Sequence, residues 1–177
     1  MKTSAKLALR KLLPALAAAV ALTAQAGPAS AATNNQGFHM TYAGSLSKAI
    51  SDGRPVVGTG RVNGRGVEKL ITEHWDLATG EFVDVTDFVF PEGSLRLQVT
   101  AKEDPLKSFG NDCYAEGTIH GSYEVLGGTG QLSGAAGAGT VAGWNQVFGN
   151  RSGRGCQYTD CQINSEINFK GWIDLPR

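Results

Sequence analysis

Alternation of apolar and polar residues with a period of two dominates the chain from Phe38 onward. Turn-forming residues interrupt the alternation about every ten to fifteen residues, and no helical run is evident in the same region. This pattern indicates about eight strands joined by short links. It predicts an all-β fold, either a closed barrel or a sandwich. A barrel leaves no exposed strand edge and therefore suits a soluble chain of 177 residues with room for about one domain.

The strand faces follow from the same alternation. We expect strands at residues 56–62, 66–75, 82–90, 95–99, 113–126, 137–148 and 162–173. Asn63-Gly64 separates the first two and predicts a type I′ turn, because this pair accepts two positive φ angles. In the segment 113–126, one face carries the apolar side chains and the other the polar ones; these are Ile119, Tyr123 and Val125 against Glu116, His120 and Glu124.

The first thirty-one residues are typical of an export signal. Four basic residues precede an Ala/Leu-rich run at residues 12–24 and the small-residue triplet at residues 29–31. We expect cleavage after Ala31, a secreted single barrel domain at residues 32–177, and no membrane association afterwards, because the apolar run is too short for a stable span. The remaining chain has 12 basic and 16 acidic residues, which disfavours nucleic acid as a partner.

Three cysteines lie in the expected secreted part, and export permits disulfides. An odd number allows at most one intramolecular bridge. The spacing of Cys156 and Cys161 suits a local bridge that closes a small loop, and pairing of Cys113 with either of them is the alternative. The count excludes a four-thiolate zinc site.

A glycine-rich segment at residues 121–139 is the most distinctive motif. It contains Gly127, Gly128, Thr129 and Gly130, then Leu132, Gly134 and a run of small residues. The glycines supply backbone angles closed to other residues, and Leu132 is expected to plug one barrel end. The segment resembles the strand-turn-strand signature of the allene oxide cyclase and dirigent barrel superfamily.

That resemblance implies an eight-stranded antiparallel barrel, often a dimer or trimer, with a cavity at one end for small hydrophobic molecules. Plant members of the superfamily guide cyclisation or radical coupling by cavity shape and a few polar side chains, whereas bacterial proteins with this motif often have no assigned activity. If the chain is an enzyme, the resemblance implies a cyclase or isomerase that uses no cofactor. The motif itself is structural in the family, so it implies a fold and assigns no catalytic residue. A phosphate-binding interpretation of the same glycines fails, because neither the P-loop nor the dinucleotide fingerprint matches.

Acid/base candidates are Glu73, which lies beside His74, and Glu116 with His120 on one strand face. If that face points inward, burial would prepare a carboxylate for general acid catalysis. If it points outward, these residues form a solvated polar stripe, which the apolar residues on the opposite face favour. Three histidines are too scattered to predict a metal site, and no cofactor is expected.

Aromatic side chains are the candidates for ligand contacts. We expect Trp75, Phe88, Trp144 and Tyr123 to line a cavity, with Phe82, Phe90 and Trp172 as further candidates; the alternative is that they form the core or a subunit contact. Two function classes follow. The chain either binds a small hydrophobic molecule and guides its cyclisation or coupling, or it is a noncatalytic module for oligomerisation or protein interaction.

Overall fold

The computed structural model describes residues 35–76, 78–104, 107–109, 113–152 and 155–176. The expected signal peptide, residues 1–31, lies outside the described residues. The described chain forms nine strands, one short α-helix and one turn of 3₁₀-helix at Gly130–Leu132. In chain order the elements are β1 (Gln36–Ser45), α1 (Leu46–Asp52), β2 (Arg54–Thr59), β3 (Gly64–Asp76), β4 (Glu81–Phe90), β5 (Gly93–Glu103), β6 (Lys107–Phe109), β7 (Tyr114–Gly128), β8 (Ala136–Ser152) and β9 (Gly155–Asp174).

Eight of these strands close into an antiparallel barrel. The strands β1 to β5 pair in sequence order, and β1 also pairs with β9, from which the sheet continues through β8 to β7. The ring closes because β5 pairs with both β4 and β7. The short strand β6 pairs with β7 and lies outside the ring. The closed-barrel prediction is confirmed, and the sandwich alternative is wrong.

The alternation of side chains determines what fills the barrel. On β5, every second residue points inward, and Leu95, Leu97, Val99 and Ala101 are buried. The same period on β4 buries the residues at positions 82, 86, 88 and 90. On β7 the predicted apolar face is confirmed, with the residues at 119, 123 and 125 buried, and on β9 the residues at 167, 169 and 173 are buried as well.

Aromatic rings fill the middle of the barrel. The Phe88 ring packs edge-on against Phe38, with ring centroids 5.1 Å apart, and against Phe169 at 5.2 Å. Tyr123 also packs edge-on against Phe169, with ring centroids 5.6 Å apart. Such edge-to-face contacts add about 0.5–1.5 kcal/mol each beyond area burial. This layer separates a closed end of the barrel from an end that holds a cavity.

The glycine-rich segment forms the turn between β7 and β8 at the closed end, as the sequence predicted. Gly127, Gly130 and Gly134 have φ angles of +151°, +59° and +75°. Gly128 is required for a different reason, because a methyl group there would collide with the carbonyl oxygen of Leu132. The Leu132 side chain is buried and plugs the closed end.

Thr129 in the same turn fixes the segment to β5. Its Oγ1 accepts a hydrogen bond from the backbone N–H of Ser94 at 3.1 Å, and the two hydroxyl groups lie 2.8 Å apart. The Thr129 N–H in turn donates to the Ser94 carbonyl at 2.8 Å. The turn is therefore tied to the neighbouring strand by both backbone and side chain.

The predicted type I′ turn at Asn63-Gly64 is wrong. Asn63 lacks the positive φ that this turn requires, and the connection between β2 and β3 spans residues 60–63. The reason is Val62, which is fully buried. The Gln36 side chain holds it there by donating to the Val62 carbonyl at 2.9 Å and accepting from its N–H at 3.0 Å.

The helix α1 is a second feature that differs from the sequence-based prediction, which contained no helix in this region. Ser45 caps its N-terminus by accepting a hydrogen bond from the N–H of Lys48 at 3.4 Å. Gly53 ends it with a φ of +81°, at a position where a methyl group would collide with the Glu68 carbonyl. Neither helix in the described ranges has the length and apolar character that a membrane span needs.

The disulfide joins Cys113 to Cys156, so the predicted pairing of Cys156 with Cys161 is wrong. Cys156 and Cys161 lie five residues apart within β9, and an extended strand separates such positions by roughly 16 Å. A disulfide requires the two Cα atoms to lie within about 7 Å. In the structure the Cα atoms of Cys113 and Cys156 are 5.1 Å apart.

Candidate functional site

A cavity of about 410 Å³ occupies the barrel end opposite the glycine-rich turn. Its walls are mainly apolar, with Val99, Ile119, Val141, Ile163 and Ile167 contributed by four different strands. Phe169 lies at its inner limit, in contact with the aromatic layer. The size falls within the roughly 300–1,000 Å³ typical of small-molecule sites.

A β-bulge on β3 places two side chains in this cavity. Leu70 pairs with Thr86 and Thr72 pairs with Val85, so Ile71 is an extra residue without a partner on β4. Strict alternation from Leu70 would send Thr72 and the next even-numbered residues inward. The bulge shifts the phase by one residue, and position 73 lines the cavity as a result.

Trp75 reaches the cavity through the same phase shift. Its indole stacks on the Phe82 ring of β4, with centroids 4.6 Å apart and an interplanar angle of 24°. The two residues are direct partners across the strands. They form an aromatic wall beside Glu73 at the open end of the barrel.

A buried ion pair lies deeper on the same side. Arg54 of β2 donates two hydrogen bonds to the carboxylate of Glu68 on β3, from Nε and from a terminal nitrogen, both at 2.9 Å. The Thr86 hydroxyl donates a third to Glu68 at 2.7 Å. The Glu68 side chain is only 3% exposed, so its charge is balanced by this bidentate pairing.

Asp84 carries the most perturbed carboxyl group of the site. It faces the cavity from β4, and its Oδ1 is enclosed without a hydrogen-bond partner among the described residues. Burial, together with the neighbouring negative charge of Glu73, raises the pKa of Asp84 to about 7, although Arg54 opposes the shift. At neutral pH this carboxyl group therefore exchanges readily between its acid and base forms.

Glu103 is a second carboxyl group at the open end, and a hydrogen bond holds it in position. It accepts a hydrogen bond at 3.0 Å from the side-chain amide of Asn145, which lies on β8 across the intervening strand β7. Burial raises the pKa of Glu103, and the hydrogen bond from Asn145 partly offsets that shift. Both side chains line the cavity.

The helix α1 lies at the cavity entrance. Leu46, Ala49 and Ile50 line the cavity from this helix, which contacts β1, β9 and β3. Ile50 is 62% exposed although it is apolar. The entrance is therefore framed by an apolar helix face on one side and by Glu73 with Trp75 on the other.

Of the three predicted acid/base residues, the structure brings only Glu73 to the cavity. Glu116 and His120 lie on the outer face of β7, where His120 is exposed and the Glu116 carboxylate accepts a hydrogen bond from the Tyr114 hydroxyl at 2.6 Å. The outward polar stripe, which the sequence favoured, is therefore the arrangement found for Glu116 and His120, and the inward alternative is wrong, because Ile119 and Tyr123 take the inward positions.

Of the four aromatic residues predicted to contact a ligand, one lines the cavity and three do not. Trp75 lines the cavity. Phe88 and Tyr123 are buried in the aromatic layer and are not among the cavity-lining residues. Trp144 is 37% exposed on the outer face of β8, so its expected place in the cavity is wrong.

Sequence reasoning missed the polar residues on which the site depends: Arg54, Glu68, Asp84, Glu103 and Asn145. One signal was available in the alternation itself. Asp84 has the same parity as Phe82 and Phe88, and Glu103 the same parity as Leu97 and Val99, so each acid is placed on an apolar face. A carboxyl group at such a position is an unusual core residue and points to a function.

The polar groups that line the cavity are carboxyl, guanidinium, amide and hydroxyl groups, which form hydrogen bonds and, for the carboxyl groups, exchange protons. Among the described residues, no group of three or more His, Cys, Asp or Glu side chains is arranged to hold a metal ion. Comparison of the chain with protein-family models, curated proteins and solved structures found no match. The resemblance to allene oxide cyclase and dirigent barrels therefore stays a prediction, and the site is interpreted from its own geometry.

Proposed function

We propose that this protein is an exported barrel that binds a small, mainly hydrophobic molecule in the cavity at its open end. The observation that carries the proposal is the cavity of about 410 Å³ with apolar walls and a few converging polar groups. Cavities of this size and composition are the usual form of small-molecule sites, whereas a purely structural barrel fills its interior with side chains.

The two ends of the barrel differ in a way that supports binding. Aromatic rings, Val62 and Leu132 are buried together in the hydrophobic core at the closed end. At the open end, the side chains of Asp84 and Glu103 stand among apolar residues without filling the space. Burial of carboxyl groups costs stability, and a binding role accounts for keeping them.

Export is the second part of the proposal. The chain begins with a segment that has the pattern of a signal peptide. The disulfide between Cys113 and Cys156 supports an oxidising compartment, because such bonds rarely persist in the cytosol. Assembly into dimers or trimers and steering of a cyclisation or coupling both remain predictions from the resemblance.

A fluorescent probe and one cavity-filling variant test the binding proposal. N-Phenyl-1-naphthylamine is apolar and neutral, and we expect its fluorescence to rise with saturable binding at one site per chain. Val147→Trp should weaken binding by about tenfold or more, because this half-buried side chain lines the cavity and a larger ring would occupy it.

Val89→Trp is the matched control. Val89 points outward from β4 and is 38% exposed, so the same change there should leave probe binding unchanged. Thermal unfolding of both variants checks that the barrel is intact. Absence of saturable binding to the wild type, or equal binding by a folded Val147→Trp variant, contradicts the proposal. Native mass spectrometry of protein purified from culture medium identifies any retained molecule.

A further inference from the structure

We propose that the molecule bound in this cavity carries a protonated amine, whose N–H groups bind the carboxylate of Asp84 while its apolar body fills the cavity. This inference rests on the proposed function and names the chemical class of its ligand. The inference is based on the polar side chains that line the cavity, among which acidic groups outnumber basic ones.

The charges around the cavity favour a cationic ligand. Four carboxyl side chains line it, and a single guanidinium group opposes them among the described residues. That guanidinium, Arg54, is already bound to Glu68 through two hydrogen bonds. Glu73 on β3, Asp84 on β4 and Glu103 on β5 are left without a cationic partner in the cavity wall.

The position of Asp84 indicates where the amine binds. Its enclosed Oδ1 has no hydrogen-bond partner among the described residues, although buried carboxylate oxygens normally accept hydrogen bonds. Glu73 is its direct partner across β3 and β4, so two carboxyl groups face one point of the cavity. A bound ammonium group would donate to Asp84 and offset both negative charges.

The surrounding surface fits the rest of such a ligand. The stacked rings of Trp75 and Phe82 lie beside these carboxyl groups, and aromatic faces attract cations. Val99, Ile119 and Val141 line the same cavity and match an apolar body. An anionic ligand such as a fatty acid would face the exposed Glu73 carboxylate at the entrance and the partly buried carboxyl groups of Asp84 and Glu103, which disfavours it.

Three probes with one apolar body test the inference by isothermal titration calorimetry at pH 7.5. They are 1-naphthylmethylamine, 1-naphthalenemethanol and 1-naphthoate, which differ in charge and hardly in size. We expect the amine to bind about tenfold or more tightly than the alcohol, and the acid to bind most weakly, because a hydrogen bond between charged groups is stronger than a neutral one.

Asp84→Asn should remove most of the preference for the amine while leaving the affinity for the alcohol within about threefold. Asp87→Asn is the matched control, since Asp87 lies on the same strand but binds Arg96 at the outer surface. It should keep the preference. At pH 6, where Asp84 is mostly protonated before binding, the wild type should release a substantial fraction of a proton per amine bound, and Asp84→Asn should release far less.

The outcomes separate this inference from the proposed function. Equal or tighter binding of the alcohol or the acid overturns the amine while leaving a small-molecule site intact. An amine preference that survives Asp84→Asn, with undiminished proton release, also overturns it. If N-phenyl-1-naphthylamine binds but none of the three probes binds or displaces it, the amine inference alone fails. If N-phenyl-1-naphthylamine does not bind either, both proposals fail.

Discussion

Glu73 and Asp84 lie directly opposite each other on β3 and β4, and both side chains line the cavity, Glu73 from an exposed position. Like charges in direct cross-strand positions are destabilising. Burial of Asp84 adds to this cost, and the two effects together raise its pKa to about 7. The pair therefore makes stability depend on pH.

Asp84→Asn should stabilise the protein at pH 8 and have little effect at pH 4. The folded protein holds the Asp84 proton up to a pKa of about 7, whereas the unfolded chain releases it near the ordinary value of 3.8. The contribution of Asp84 to the free energy of unfolding is therefore complete below about pH 4 and is lost as pH rises through 7.

Urea unfolding at pH values from 4 to 8 measures this effect. We expect the variant to gain about 2 kcal/mol over wild type at pH 8, a figure reduced from the full shift because solvent reaches the cavity. Asp87→Asn, at the outer surface, is the control and should show no gain that grows with pH. A constant difference between Asp84→Asn and wild type across the range would contradict the raised pKa.

Arg54→Met should destabilise the barrel by about 3 kcal/mol, because it leaves the buried Glu68 carboxylate without its cation. Arg96→Met removes the same side chain from an exposed pair with Asp87 and should cost less than about 1 kcal/mol. Chemical denaturation of both variants makes the comparison. Equal losses would mean that the Arg54 pair is effectively solvated.

Tyr123→Phe should leave the protein equally stable or more stable by up to about 1 kcal/mol. The Tyr123 hydroxyl is buried without a hydrogen-bond partner among the described residues, and the same burial raises the pKa of Tyr123 to about 12. Thermal unfolding tests this. A loss of more than about 1 kcal/mol would indicate that the hydroxyl makes a stabilising hydrogen bond.

Gly171→Ala should destabilise the barrel by at least about 1–3 kcal/mol. A methyl group there would collide with the Ala138 carbonyl and lie 2.7 Å from the Tyr123 hydroxyl, which crosses this part of β9. Gly64→Ala provides a contrast, because nothing lies within 4 Å of that position, so its cost comes from its φ of +127° alone. Thermal unfolding compares the two, and an unchanged Gly171→Ala variant would contradict the close packing.

Cys156→Ser should lower stability by about 2–4 kcal/mol, since the bridge to Cys113 closes a loop with a sequence separation of 43 residues. Cys161→Ser should leave that bridge in place. Mass spectrometry of peptides under non-reducing conditions identifies the linked pair, and denaturation gives the loss of stability. A peptide that links Cys156 to Cys161 would be inconsistent with the strand geometry of β9.

Much of the fold was predictable because alternation is local. The inward positions of Ile119, Tyr123 and Val125 follow from the period of two alone. The turn at Gly127 and Gly130 also follows locally, because their φ angles favour glycine whatever the rest of the barrel does. The acid at Asp84 was visible by the same rule, as a charged residue in phase with buried phenylalanines.

The local pattern did not predict the helix α1, although Ser45 and Gly53 carry ordinary cap signals. Seven residues are too few to establish a helical period against the strand pattern on either side. The type I′ turn predicted at Asn63-Gly64 was wrong for another reason, which concerns the loop that contains Val62. Its conformation depends on hydrogen bonds from Gln36, which is distant in sequence.

The sequence by itself determined where strands run, which of their faces are apolar and where glycine permits a tight turn, because these properties depend on neighbouring residues. Only the tertiary structure decided that Cys113 meets Cys156 and that the bulge at Ile71 turns Glu73 toward Asp84. Both depend on the register between strands distant in the chain. That register is set by the closure of the whole barrel, and no single segment encodes it.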